Sequence, residues 1–153
     1  LKVSEALQKR AMRQIEQIEH RLSIKRTAGG ITIIDDAYNS NPTGARMALE
    51  VLEGFETEGA RYVVTPGFVE MGSKQFDNNK QFGEDIALAR PDRVFVVNEV
   101  NRKAITEGLA RGGYPEAQVS CVASFNEAMA ELQPRLKVGD VVLYENDLPD
   151  SFK

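Results

Sequence analysis

Short apolar runs recur along the chain and alternate with segments whose apolar residues have helical spacing. The runs lie at residues 31–34, 62–65, 94–97, 119–122 and 141–144. Each run has four residues rich in β-branched or aromatic side chains, which favours strands over helices. They are apolar at nearly every position, as is typical of parallel strands that are buried on both faces. The pattern therefore predicts an α/β fold: a doubly wound, Rossmann-like, mostly parallel sheet with helices on both faces.

Helix signals fill the intervals between these runs. Asn41 followed by Pro42 is typical of an N-cap and a first helical residue. Ser124 with Glu127 three residues later has the spacing of a capping box. Apolar residues at helical spacing predict two further helices, marked by Phe82, Ile86 and Ala89 and by Ile105 and Leu109.

The start of the chain differs from the rest. Residues 4–18 have helical spacing, residues 21–25 alternate like a half-buried strand, and residues 27–30 are turn-forming. We therefore expect an antiparallel hairpin at one edge of the sheet. Residues 1–19 are interpreted as a connecting helix or the remnant of a preceding domain, and residues 20–153 as one domain. The first residue is Leu rather than Met, which indicates a piece of a longer protein.

Charge and composition exclude several classes of protein. The formal net charge of −4 argues against a general nucleic-acid binder, which needs a basic surface. No apolar stretch approaches the roughly 20 residues that cross a bilayer. With one His and one Cys, neither a transition-metal site nor a Cys-His nucleophile is expected. Cys121 is predicted to be a small buried residue, and the lack of disulfides favours the cytoplasm.

The richest candidate loop comprises residues 35–42, directly after the first predicted parallel strand. Ligands of open α/β sheets bind beyond the carboxyl ends of the strands. The carboxylates and amides of this loop suit ribose hydroxyls or a ligand amine, and the following helix start favours anions. The alternative is structural: Asn41 only caps the helix, and Asp35 or Asp36 ties down the loop.

Two further segments lie on the same side of the predicted sheet. Residues 67–74 resemble a phosphate-binding P-loop, but Ser73 precedes Lys74, whereas that motif needs Lys before Ser or Thr. We therefore expect a flexible loop with glycines at turn positions. The acidic segment at 145–150 follows the last predicted strand, and we expect it to end the domain rather than contact a ligand.

Four strings together resemble the C-terminal domain of the Mur ligase family. They are His-Arg-Leu at 20–22, Ile-Ile-Asp-Asp-Ala-Tyr-Asn-Ser-Asn-Pro at 33–42, Gly-Phe-Val-Glu-Met-Gly at 67–72 and Glu-Asn-Asp-Leu-Pro-Asp at 145–150. The resemblance covers nearly the whole chain from His20 onward. It is strongest to the branch that adds D-alanyl-D-alanine to UDP-N-acetylmuramoyl-tripeptide.

The resemblance implies an ATP-dependent amide-bond ligase that works through an acyl phosphate, in the cytoplasm. By the same resemblance Arg21 approaches the ATP phosphates, Asp36 holds the nucleotide, and Asn39 and Asn41 line that loop. The substrate-side loop is expected to contain Gly67, Glu70 and Gly72. The P-loop and the Mg²⁺ ligands of such ligases belong to a central domain, and the UDP-sugar site belongs to an N-terminal domain; this chain contains neither. The resemblance therefore implies no catalytic or metal-binding residue here, no ligase activity for the isolated chain, and partners in those two domains, with no nucleic acid or membrane.

Other classes fit less well or stay open. A response-regulator receiver needs an Asp after the third parallel strand and a Lys after the fifth, where this chain has Asn98 and Glu145. A non-enzymatic nucleotide-binding α/β module and another ligase of the superfamily, similar to folylpolyglutamate synthase, remain alternatives.

Overall fold

The computed structural model describes residues 22–36, 42–69 and 71–145. Within these ranges six strands form one sheet: β1 Ser23–Arg26, β2 Thr32–Asp36, β3 Arg61–Thr65, β4 Arg93–Val97, β5 Val119–Val122 and β6 Val141–Glu145. Four α-helices connect them: α1 Pro42–Gly54, α2 Gln75–Ala89, α3 Arg102–Arg111 and α4 Phe125–Leu132. Short 3-10 turns lie at Gly72–Lys74, Glu116–Gln118 and Gln133–Arg135.

The strands lie in the order β1-β2-β6-β3-β4-β5. β1 pairs antiparallel with β2, and every other pairing in the sheet is parallel. The predicted doubly wound, mostly parallel sheet with an edge hairpin is therefore confirmed. β6 is the last strand of the described chain, yet it lies in the middle of the sheet between β2 and β3.

The helices are divided unequally between the two faces of the sheet. The connections from β2 to β5 move across the sheet in one direction, and right-handed crossovers place α1, α2 and α3 together on what we call the first face. The return from β5 to β6 runs the other way, which places α4 on the second face. Two apolar clusters follow from this division. The first is centred on Ile34, Leu49, Val63, Ile86, Val94, Ile105 and Leu143, and the second on Val64, Phe95, Val122, Phe125, Leu132 and Val142.

Helices α2 and α3 approach each other so closely that glycine is needed at their contact. A Cβ at Gly108 would overlap the carbonyl oxygen of Lys80, and a Cβ at Gly83 would overlap that of Ile105. Both obstacles are backbone atoms, which cannot move aside as a flexible side chain would. The two glycines therefore set the spacing of the helix pair over the first face.

The predicted caps and turns fall partly within the described residues. The Oγ of Ser124 accepts a hydrogen bond from the Glu127 N–H at 3.2 Å, which confirms the predicted helix start. The Glu127 carboxylate accepts from the N–H of Ala123 at 2.8 Å, one residue before the position that a capping box uses. The predicted cap at Asn41 and the predicted helix before His20 lie outside the described residues.

Two expectations from the sequence were wrong. Cys121 is exposed rather than buried, because β5 is the edge strand and has β4 as its single neighbour. Glu145 does not follow the last strand but is its final residue, and it is fully buried. Among the helices that the structure describes, none is long and apolar enough to cross a membrane.

Candidate functional site

The five parallel strands end along one side of the sheet, which we call the carboxyl edge. β2, β3, β4 and β5 lead from this edge into α1, α2, α3 and α4. Ligands of open α/β sheets bind at such an edge. The candidate ligand-binding residues are therefore those that end these strands.

Two acidic residues end neighbouring strands at the carboxyl edge. Asp36 is the last residue of β2 and Glu145 is the last residue of β6, and the two are paired in register. Side chains alternate along a strand, so Asp36 lies on the same face as Ile34, and Glu145 on the same face as Leu143. Both belong to the first face, under α1. Asp36 is 1% exposed and Glu145 is 0% exposed.

This acid pair carries less negative charge than its composition suggests. Burial, a hydrogen bond to Asp36 and the negative charge of Asp36 raise the pKa of Glu145 well above its usual range. Two adjacent carboxyl groups shielded from water cannot both ionise without a large cost in free energy. Glu145 therefore holds a proton under conditions where an exposed glutamate would be ionised.

The neighbouring carboxylate, Asp35, has a different environment. It lies on the second face, paired in register with Tyr144, and is half-buried. Burial, and secondarily the charge of Asp35, raise the pKa of Tyr144 to about 12. Consecutive acidic residues thus point to opposite faces of the sheet, and Asp36 is the one that faces α1.

The loop after β3 is fixed at its start by hydrogen bonds. The Oγ1 of Thr65 accepts from the N–H of Gly67 at 2.9 Å. Gly67 has a φ of 78°, and a Cβ there would lie 2.5 Å from Oδ1 of Asn79. Both the left-handed backbone and the crowding require glycine at this position.

Two buried asparagines hold the same loop from the helices. Asn79 in α2 is 0% exposed and Asn101, just before α3, is 3% exposed. The Oδ1 of Asn79 accepts from the N–H of Phe68 at 2.8 Å, and its Nδ2 donates to the Phe68 carbonyl at 3.0 Å and to Asn101 Oδ1 at 3.1 Å. Nδ2 of Asn101 donates to the carbonyls of Pro66 at 2.9 Å and Phe68 at 2.8 Å. The expected flexible loop is therefore held by buried amides through its first three residues.

The ends of β4 and β5 are joined by backbone and arginine contacts. Asn98, with a left-handed φ of 56°, donates its N–H to the Val122 carbonyl at 2.8 Å. Nη2 of Arg102 donates to the same carbonyl at 3.2 Å, and its Nη1 lies 3.8 Å from Oε1 of Glu99. At this point α3 and α4 leave the sheet toward opposite faces.

The structure places three of the seven nominated residues. Asp36 ends β2 and Gly67 lies near the start of the loop after β3. Gly72 lies where that loop ends, exposed at the first position of a 3-10 turn. Arg21, Asn39, Asn41 and Glu70 lie outside the described residues. β6 separates β2 from β3, so the strand ends that carry Asp36 and Gly67 are not adjacent.

Sequence reasoning missed Glu145 as the neighbour of Asp36 and missed the paired asparagines. A signal for Asn79 was present, because it occupies the buried stripe of α2 at helical spacing before Phe82 and Ile86. No signal for Glu145 was available without the strand order. In residues 22–36, 42–69 and 71–145, no three His, Cys, Asp or Glu side chains group as metal ligands.

Comparisons with known proteins agree with this architecture. The family model described as Mur ligase, glutamate ligase domain, matches residues 20–144. A UDP-N-acetylmuramoyl-tripeptide--D-alanyl-D-alanine ligase of Bacillus subtilis is 27% identical over 125 residues, covering 82% of this chain and 27% of that protein. The enzyme of the same name from Mycobacterium tuberculosis is 29% identical over 140 residues, covering 81% of this chain and 28% of that protein.

Two further matches extend the comparison. A UDP-N-acetylmuramate--L-alanine ligase of Desulforapulum autotrophicum is 28% identical over 151 residues, covering 94% of this chain and 32% of that protein. The crystal structure of MurF ligase from Thermotoga maritima in complex with ADP has a TM-score of 0.66 at 23% identity, covering 82% of this chain and 27% of that chain. This chain thus spans between a quarter and a third of the length of these relatives. Since the family model matches most of its residues, the chain belongs to the Mur ligase family and is a Mur ligase C-terminal domain.

Proposed function

We propose that this chain is the nucleotide-contacting C-terminal domain of an ATP-dependent ligase that adds D-alanyl-D-alanine to UDP-N-acetylmuramoyl-tripeptide. The observation that carries the proposal is Asp36, a carboxylate at the carboxyl edge of a Mur ligase C-terminal domain. The names of the relatives from Bacillus subtilis and Mycobacterium tuberculosis support the substrates. The ADP in the related Thermotoga maritima structure supports the nucleotide.

The proposed reaction has two steps. A carboxylate oxygen of the tripeptide attacks the γ-phosphorus of ATP, the bond to the bridging oxygen breaks, and ADP leaves. The amine nitrogen of D-alanyl-D-alanine then attacks the acyl carbon, inorganic phosphate leaves, and the nitrogen loses a proton. Mg²⁺ would neutralise phosphate charge, and we assign its ligands to the central domain, as the family resemblance implies.

In this reaction the present chain contributes binding contacts. We assign Asp36 to the ribose hydroxyls, because a carboxylate accepts hydrogen bonds from hydroxyls and repels phosphates. Arg21 is assigned to the phosphates, whose charge a guanidinium stabilises during transfer. Asn39 and Asn41 remain predictions for the same loop, and Gly67, Glu70 and Gly72 for the substrate side.

Burial of Asp36 constrains how it meets a nucleotide. With 1% of its surface exposed, its carboxylate contacts a ligand only if the neighbouring groups move. Closure of this domain over a central domain supplies such a movement in the proposed enzyme. We further propose that residues 1–19 connect to that central domain, that residues 20–153 form the C-terminal domain, and that the enzyme acts in the cytoplasm.

The experiment is ATP-dependent ligation by the full-length protein that contains this chain, followed as phosphate release and product mass. Arg21→Ala is expected to lower kcat/KM by about a hundredfold or more, the scale of losing a contact to transition-state charge. Asp36→Ala is expected to lower kcat/KM by about tenfold or more, the scale of losing a hydrogen bond between a charged group and the ribose. Asp35→Ala is the matched control, since it removes the adjacent carboxylate from the opposite face. If Asp35→Ala and Asp36→Ala lower kcat/KM equally, Asp36 has a structural role rather than a nucleotide-binding one.

A second candidate substrate follows from the Desulforapulum autotrophicum relative, whose name specifies L-alanine. Both amines are therefore offered in the same assay, each with its own UDP-sugar acceptor. Turnover with D-alanyl-D-alanine alone supports the proposed substrate, and turnover with L-alanine alone refutes it. The isolated 153-residue chain is expected to show neither ligation nor ATP hydrolysis.

A further inference from the structure

Glu145 is the nearest cross-strand neighbour of Asp36. The two are the last register pair of parallel strands β2 and β6. Adjacent strands lie about 4.8 Å apart, and both side chains extend toward the first face. Their carboxyl groups are thereby placed side by side at the edge where nucleotides bind in such folds.

The buried environment disfavours ionisation of both carboxyl groups of this pair. Neither side chain is more than 1% exposed, so water does not solvate two adjacent negative charges there. Burial, a hydrogen bond to Asp36 and the charge of Asp36 raise the pKa of Glu145, so Glu145 keeps its proton beyond the usual range of a glutamate. A protonated carboxyl group is a hydrogen-bond donor, which an ionised one is not.

The helix α1 on the first face covers both members of the pair. α1 begins at Pro42, shortly after β2, and packs against both β2 and β6. Both carboxyl groups therefore lie beneath the same helix, where a protonated carboxyl group can donate to an ionised neighbour.

We propose that Glu145 is a positioning residue for nucleotide binding: its protonated carboxyl group donates a hydrogen bond to the Asp36 carboxylate and fixes the direction in which Asp36 meets the ribose. This inference rests on the proposed nucleotide role of Asp36. It adds Glu145, the last residue of β6, to the residues that shape the proposed nucleotide site.

The chain offers two informative replacements at this position. Glu145→Gln keeps the length and the donor, because its amide N–H can replace the carboxyl O–H. Glu145→Leu keeps a similar volume in a fully buried position but removes the donor. Both variants are made in the full-length protein, with Asp36→Asn as the test of the underlying function, and thermal denaturation verifies that each is folded.

The measurement is the KM for ATP and kcat of ligation, together with the Kd of ADP from calorimetry. We expect Glu145→Leu to raise the KM for ATP and the Kd of ADP by about tenfold or more, the scale of one hydrogen bond to a charged group. Glu145→Gln is expected to restore both to within about threefold of the parent. The KM for the amine substrate should change in neither variant.

The outcomes separate this inference from the function on which it rests. If Asp36→Asn leaves the KM for ATP and the Kd of ADP unchanged, the nucleotide role of Asp36 is refuted and the role of Glu145 with it. If Asp36→Asn weakens nucleotide binding but a folded Glu145→Leu does not, the positioning role alone is refuted. A Glu145→Gln variant as impaired as Glu145→Leu also refutes it, because the donor would then not be the property that matters.

Discussion

Replacing Asn79 by alanine tests whether the buried amides hold the loop after β3. The side chain is fully buried, and its Nδ2 contacts the carbonyls of Phe68 and Gln75 and Oδ1 of Asn101. Its Oδ1 accepts the N–H of Phe68. The substitution therefore removes every contact that the amide makes from α2 to the loop.

The expected loss of stability depends on which hydrogen-bonding partners of Asn79 are left without a bond. The Phe68 carbonyl keeps its bond from Asn101, and Asn101 Oδ1 keeps its bond from Gln75. The Phe68 N–H loses its acceptor, and a buried donor without a partner costs about 1–3 kcal/mol. The remaining bonds and the cavity add about 1 kcal/mol. Asn79→Ala should thus lower the free energy of unfolding by about 2–4 kcal/mol.

Urea denaturation of the 153-residue chain, followed by circular dichroism, measures this free energy. Asn78→Ala is the matched control, because Asn78 precedes Asn79 in α2 and its amide contacts the sulfur of Met71 at 3.4 Å, a weak acceptor. That change should cost less than about 1 kcal/mol. A loss of stability in Asn79→Ala no larger than in Asn78→Ala would refute the reasoning, because the buried amide would then contribute nothing beyond its volume.

Three other properties can be measured on the same chain. Gly108→Ala should lower the free energy of unfolding by about 1–3 kcal/mol, because the new Cβ meets backbone atoms of α2. Gly54→Ala is the control and should not destabilise, because a Cβ there meets no atom within 4 Å. Equal effects of the two substitutions would contradict the close contact between α2 and α3. The raised pKa of Glu145 means that the folded state holds the carboxyl proton more tightly than the unfolded chain does, where the pKa of this group is about 4.5. The stability that protonated Glu145 contributes is therefore present below pH 4.5 and is lost as the pH rises. Glu145→Gln, which does not titrate, should become more stable relative to the parent as the pH is raised from about 4 to about 8. A difference in stability between the two proteins that does not change with pH would argue against the raised pKa. The exposed thiol of Cys121 should react with Ellman's reagent at a rate close to that of the urea-unfolded chain, and strong protection would show that it is buried.

Strands β2, β3, β4 and β6 were predictable because each is a short, mostly buried run with β-branched residues. β2 illustrates how far this extends: the apolar run was predicted at 31–34, and the observed strand is Thr32–Asp36. Asp35 and Asp36 continue the strand because Tyr144 and Glu145 supply backbone partners in β6. A carboxylate in a strand has low propensity, so only the tertiary pairing extends β2 this far.

The site was predictable only in part, because its residues meet through the order of the strands. The end of an apolar run and the helix signal after it nominated the loop at residues 35–42, and the family resemblance singled out Asp36 within it. Its pairing with Glu145 depends on the position of β6 next to β2, which periodicity does not encode. Cys121 shows the same limit, since an apolar run cannot indicate that its strand lies at the edge.

The central position of β6 has a consequence for how this domain is made. Ribosomal synthesis proceeds from the amino terminus, so β2 and β3 emerge well before the strand that lies between them. Until residues 141–145 are released, the sheet consists of a β1-β2 hairpin and a β3-β4-β5 unit with unpaired edges facing each other. Pairing across such a long sequence separation is slow, and open edges favour aggregation. A nascent or truncated chain that ends before Val141 is therefore expected to need a chaperone and to be degraded, whereas loss of residues from the other end would spare the central pairing.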